Sequence, residues 1–283
     1  MTTDTSTTAA INAVLLDPEY ETLLAQLVTE DDTPVDNFYS AKHQRLLVET
    51  LNSSWEGPAG HRRFLVDANV GVFVSPKKPP LVPDVFVSLD VAVEPHWHEK
   101  HNRSYFLWHF HKPPDVVIEI VSNREGGEDS SKLQAYAEMG VAYYAIFDPE
   151  DYLRQGVLRC YALHEGHYQL QEEAWFAGVA LGLTLWYGEY EYLETTWLRW
   201  CDREGVIIPT GAERAEWERR EKEWERDQKE RERRQREAAL SDLERERQQR
   251  EAALSDLERE RQEKARLLAK LRELGASLDE EDV

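Results

Sequence analysis

The chain is poor in cysteine, in long apolar runs and in positive charge, and each shortage narrows what it does. Only Cys160 and Cys201 occur in 283 residues. They form neither a Cys-x-x-Cys motif nor a disulfide framework, which fits a reducing, cytoplasmic setting. No apolar run approaches the roughly 18 residues that a membrane span needs. The N-terminus, MTTDTSTTAAINAVLLDPEY, lacks a basic stretch ahead of an apolar one, so no secretory signal is expected. Lysine and arginine number 34 against 55 acids, a net charge of −21. Residues 1–210 hold 32 acids and 15 bases, and residues 211–283 hold 23 and 19. Proteins that track a nucleic-acid backbone usually carry a basic surface, and this chain as a whole does not. It also lacks a Gly-x-Gly-x-x-Gly fingerprint, a Walker loop, a Gly-x-Ser-x-Gly elbow and a helix-turn-helix with a basic recognition helix.

What is present suffices for one large domain with an appendage, since 41% of residues are apolar. Residues 1–16 read as a flexible N-terminus, 17–205 as the domain, 211–275 as a helical tail and 276–283 as an acidic end. DPEYETLLAQLVTED predicts a short helix, with Asp17 as N-cap and Pro18 at its first position. SAKHQRLLVETLNSSW predicts a longer one, with Leu46, Leu47 and Leu51 on one side. Strands are expected at RFLVDAN, VGVFVS and DVFVSLD, then at 115–121 and at AYYAIFD, with a helix from Asp129 to Met139 between the last two. GVLRCYAL and HYQLQEEAW predict a hairpin turning at Gly166. LGLTLWYGEY and YLETTWLRWCDR close the domain, and residues 91–112 read as a mobile, aromatic- and His-rich connection. The fold class is α/β, a mixed sheet flanked by helices, with 115–148 as a right-handed parallel crossover.

One residue does not fit its strand. In PPDVVIEIVSNREGGEDSSKLQAYAEMGVAYYAIFDP, Glu119 interrupts an apolar, β-branched run. A buried carboxylate costs several kcal/mol unless a cation, a metal or a proton compensates it. Upstream, Asp84 opens another strand after Pro83, and downstream Lys132 begins the next helix. Two neighbouring carboxylates repel each other unless a cation lies between them. Such an oxygen-rich pair suits Mg²⁺ or Mn²⁺, and a lysine beside it orients a water or steadies a phosphorane, which is phosphodiester chemistry. The structural alternatives are an ion pair for Glu119, a turn for Asp84 and a solvated lysine at 132.

These residues also carry a resemblance. VPDVFVS, then the stretch 113–149 with its strand Glu, Lys, Tyr, Gly-Val and aromatic strand in order, then LRCYALHEGHYQL, resemble the Uma-two family of the PD-(D/E)XK nuclease superfamily over residues 35–195. The resemblance implies a restriction-endonuclease-like core, a divalent metal and DNA as substrate. It matches Asp84 and Glu119 to the metal-binding acids. In the plain superfamily pattern the lysine lies two residues after the acid, where this chain has Val121; Lys132 matches the helix placement common in the family. Tyr136, one turn on, and His43, in AKHQRLL, are secondary candidates, for which core packing is the alternative.

Two further features compete for attention. His96, His98, His101, His109 and His111 form a candidate transition-metal cluster, but the segment has no Cys and its spacing matches no zinc pattern. From Gly211, REAALSDLERERQQ is followed by REAALSDLERERQE, two heptads repeated. Leu240, Leu243, Leu254, Leu257, Leu268 and Leu271 fall at a and d positions, interrupted by Arg247, Arg250, Arg261 and Lys264. A coiled coil joining protomers and a solvated lone helix are both compatible with this pattern. The expected function is therefore a Mg²⁺-dependent endonuclease. The alternative is a nuclease-fold scaffold that assembles proteins through its tail. A basic patch for DNA would have to come from Arg62, Arg63, Lys77, Lys78, Lys100, Arg103 and Lys112.

Overall fold

The computed structural model describes Thr22 and residues 37–58, 63–92, 96, 99, 102–122 and 130–273. The helix expected at 17–31 lies outside these residues apart from Thr22, as do residues 1–16, Asp129 and the acidic end. Contacts divide the chain into two compact units, Met1–Ala215 and Glu216–Val283.

In the first unit, helix α1 (Phe38–Ser54) starts at Asn37, whose side chain accepts a hydrogen bond from the Ser40 N–H at 2.9 Å. Leu47 and Leu51, one turn apart, bury its apolar side completely. There follow β1 (Phe64–Asp67), β2 (Val72–Phe73), β3 (Val85–Leu89), β4 (Tyr105–Phe106), a turn of helix α2 (Leu107–Phe110), β5 (Val116–Ile120), α3 (Ser131–Met139) and β6 (Tyr143–Phe147). The hairpin is β7 (Leu158–His164) and β8 (His167–Leu170), turning on Glu165 and Gly166, both at positive φ. Strands β9 (Trp175–Phe176), β10 (Leu181–Tyr190) and β11 (Leu193–Cys201) form a separate small sheet.

The main sheet is mixed and runs β1-β3-β5-β6-β7-β8. Its β5–β6 pair is parallel and is joined through α3; the other neighbours are antiparallel. Strand alternation gives the sheet two buried faces. Val116, Ile118 and Ile120 of β5 pack with Leu47 and Leu51 of α1 and with Leu181, Leu198 and Trp200 of the small sheet. Val117 and Val121 point the other way, among Tyr136 and Met139 of α3 and Tyr144 of β6.

Two expectations are corrected. VGVFVS is a strand only at Val72–Phe73, and it pairs in parallel with β4 instead of joining the main sheet. The connection expected to be mobile is core in its second half: Tyr105, Phe106, Leu107 and Trp108 are all 1% exposed or less. Four large apolar side chains in a row outweigh the polar and histidine residues around them, because each buries a large apolar area. Both cysteines are buried and free, and burial pushes the Cys160 thiol up to about 12, which keeps it unreactive.

Helix α4 (Gly211–Glu273) begins in the first unit with a reciprocal cap. Thr210 Oγ1 accepts from the Glu213 N–H at 3.2 Å, and Glu213 Oε2 accepts from the Thr210 N–H at 2.7 Å. Buried Arg199 adds an ion pair to Glu213 at 2.7 Å. No described helix is long and apolar enough to cross a membrane.

Candidate active site

Glu119 is fully buried on the α3 side of β5. Helix α3 brings it two donors from one face, since Lys132 and Tyr136 lie four residues apart. Lys132 Nζ donates to Glu119 Oε2 at 2.8 Å, and Tyr136 Oη donates to Oε1 at 2.8 Å. Lys132 keeps 29% of its side chain exposed, whereas Tyr136 is closed from solvent.

Asp84 reaches the same strand from β3. The antiparallel register pairs Val85 with Ile118, so Asp84 stands one residue past that rung. Its Oδ2 accepts the Ile120 N–H at 2.6 Å, and its Oδ1 accepts from Gln44 Nε2 at 2.8 Å. Gln44 is itself oriented: Asn69 Nδ2 donates to its Oε1 at 2.8 Å. Asn69 sits in the left-handed region at φ 56°, with its N–H on the Pro83 carbonyl at 3.2 Å. A chain of side chains thus runs from Asn69 in the β1–β2 turn through Gln44 of α1 to Asp84. Gln44 was not singled out from the sequence. The available signal was a polar residue one turn before Leu47 and Leu51, on the stripe that buries α1.

The two acids repel each other in a dry setting. Burial, then the charge of Asp84, raise the Glu119 carboxyl to about 8, against the lowering pull of Lys132 and Tyr136. Burial and the Glu119 charge likewise hold the Tyr136 phenol well above its ordinary value, so it remains a donor. Lys132 and Tyr136 therefore compensate Glu119 only in part. Removing one of them tests this directly. Tyr136→Phe leaves a buried carboxylate oxygen without its donor and is expected to cost about 1–3 kcal/mol in chemical denaturation.

His43 stands elsewhere. Its ring packs against Tyr39, Trp197 and Phe147 at centroid distances of 4.4, 4.6 and 4.9 Å. Phe147 belongs to the α1 side of the sheet, opposite Glu119. Neither ring nitrogen has a hydrogen-bond partner among the described residues, and burial depresses the pKa to about 3. His43 is a neutral aromatic of the core at physiological pH. In the histidine-rich segment, His98 and His101 lie outside the described residues, and the His109 ring packs edge-on against Phe110 at 5.1 Å.

Among the described residues no group of three or more His, Cys, Asp or Glu is placed to hold a metal. Asp84 and Glu119 remain a two-acid, all-oxygen donor set whose mutual repulsion the neighbouring donors do not fully offset. That fits Mg²⁺ or Mn²⁺, which keep several waters and take one or two carboxylates. The set has none of the Cys or His ligands that zinc favours. Of the basic residues considered for a DNA-facing rim, Lys112 turns inward to Asp115 and to the Leu89 carbonyl. Arg63, Lys77, Lys78 and Arg103 are exposed, and Arg62 and Lys100 lie outside the described residues.

A family model described as "Putative restriction endonuclease", Uma2, matches residues 28–181. That span contains α1, the main sheet, α3 and every site residue named above. No curated protein matches the chain.

Proposed function

The chain belongs to the Uma2 family, described as "Putative restriction endonuclease", and has a restriction-endonuclease-like α/β fold; from that premise we propose that it is a metal-dependent endonuclease hydrolysing phosphodiester bonds of DNA. The observation that carries this reading is the constellation around Glu119. A buried acid is shared by a lysine and a tyrosine of the crossover helix, and a second acid, just before the neighbouring strand, is anchored on the Ile120 N–H.

Asp84 and Glu119 would hold the Mg²⁺ or Mn²⁺. When bound, such a cation polarises a phosphoryl oxygen and lowers the pKa of a coordinated water. Lys132 is the partly exposed member of the group, and its ammonium is fixed by Glu119. From there its ammonium would orient an attacking water or steady the charge growing on the phosphorane. Tyr136 locks the Glu119 carboxylate, and Gln44 with the Ile120 N–H locks that of Asp84. Gln44→Leu is expected to weaken Mn²⁺ binding by about 10–100-fold, as loss of an outer-sphere partner does; isothermal calorimetry reads this directly.

Protomers would associate through the helical tail. A nuclease-fold scaffold of little or no activity, acting through that tail, is the second reading. The excess of acids in residues 1–210 favours it, because exposed acids repel phosphates within a Debye length. Incubation with supercoiled plasmid separates the two. Nicking or linearisation that needs Mg²⁺ or Mn²⁺ and stops with chelator is the expected result. No cleavage of duplex, single-stranded or branched DNA, or of RNA, leaves the scaffold reading.

A further inference from the structure

Helix α4 changes character along its length. No residue of it is buried, and its leucines at 240, 243, 254, 257, 268 and 271 are 38–63% exposed. In the heptad frame they define, Leu240, Arg247, Leu254, Arg261 and Leu268 are a positions, and Leu243, Arg250, Leu257, Lys264 and Leu271 are d positions. Carried back toward the N-terminus, the same frame puts Arg219, Lys222, Arg226, Lys229, Arg233 and Arg236 on the seam. Two such rows facing each other would crowd cations with no apolar gain, so this stretch cannot pair. It is suited to standing alone: Glu216–Arg220, Glu230–Arg234 and Arg233–Glu237 form i,i+4 ion pairs at 2.5, 2.7 and 3.2 Å.

We infer that residues 240–271 pair in parallel and in register with the same residues of a second copy of the chain, while residues 216–236 remain an unpaired charged helix. Flanking charges set the orientation. Position e is Glu237, Glu244, Glu251 and Glu258 in turn. Antiparallel helices set e against e, acid row on acid row. Parallel helices set g against e of the partner, and g alternates as Ala239, Glu246, Ala253 and Glu260. Acid then meets acid only at Glu246 and Glu251. At that level both helices supply Arg247 and Arg250 to the seam, so each acid has a cation. The 3.0 Å contact from Arg247 to Glu251 shows that this reach is available.

Register follows from the fourteen-residue period. A shift of seven sets leucine layers on arginine layers. A shift of fourteen keeps leucine on leucine but sacrifices one of the three leucine layers. In-register pairing retains all of them.

The inference rests on the oligomer reading and is independent of the nuclease one. It is tested on the full chain by sedimentation equilibrium at micromolar concentration. The expected mass is twice that of one chain, falling to one chain when Leu254→Glu and Leu257→Glu are combined. Both leucines are exposed and glutamate is a good helix former, so the variant keeps its fold. A Leu271→Cys variant should form a covalent dimer on mild oxidation; Cys160 and Cys201 are buried and do not compete. A wild type that stays monomeric overturns both the inference and the oligomer reading. A dimer that survives the double substitution leaves the oligomer standing and overturns the zipper. A dimer lost on the double substitution, together with a Leu271→Cys variant that fails to cross-link, overturns the parallel, in-register arrangement.

Discussion

Glu119→Gln is expected to lower Mg²⁺-dependent DNA cleavage on the order of a hundredfold to a thousandfold, with the protein still folded. The amide has the same shape as the carboxylate. Its oxygen can accept from Lys132, and its nitrogen can donate to the Tyr136 oxygen, so both buried contacts persist in altered form. What disappears is the negative charge. The same variant carries a stability signature. Burial and Asp84 raise the Glu119 carboxyl from 4.5 to about 8 in the folded protein. Between those values the native state holds a proton that the unfolded chain has released. The Glu119 contribution to metal-free stability is therefore lost as pH rises from about 5 to about 8, while neutral, buried His43 adds the opposite slope up to about 6.5 in wild type and variant alike. In Glu119→Gln the Glu119 contribution is absent, so the two proteins' pH slopes differ across this range. Urea denaturation across the range, in chelator, reads it; an identical slope in both proteins would mean that Glu119 is ionised throughout.

Lys132→Met separates binding from chemistry. Methionine keeps an apolar stem against α3 and removes the ammonium. Cleavage is expected to fall on the order of a hundredfold or more. Mn²⁺ affinity should hold or rise, because a cation repelling the metal is gone. Stability drops without metal, since Glu119 loses its only ion pair among the described residues. Protonation of Glu119 keeps that cost below the roughly 3–5 kcal/mol of a stranded buried charge. The drop should shrink as Mn²⁺ is added. Equal loss of Mn²⁺ affinity and cleavage would instead assign Lys132 to shaping the metal site.

Much of this site was legible in the sequence because its key contacts follow short-range rules. Glu119 declared itself by interrupting a β-branched run, and Lys132 and Tyr136 share a helix face by spacing alone. The parallel crossover then folds that face back onto the strand it follows. Gln44 was not legible in the same way. Its role depends on α1 lying near the start of β3 and on a left-handed Asn69 bridging them, which is tertiary placement. His43 shows the converse: it sits beside a site residue in sequence, but adjacent helix positions point about 100° apart, so it turns into the aromatic core that α1 covers while Gln44 reaches Asp84. Strand β4 and its pairing with β2 were not legible, because a two-residue strand lacks a periodic signal. The Thr210–Glu213 cap, by contrast, is written plainly as Thr-x-x-Glu before a long helix.

The most direct test of the acid pair as a divalent-cation site is calorimetric titration of Mn²⁺ into metal-free wild type and into the combined Asp84→Asn, Glu119→Gln variant. Binding by the wild type that vanishes in the variant is the predicted result. Equal binding by both proteins, or none by either, would contradict it and leave Glu119 as a structural acid held by Lys132 and Tyr136.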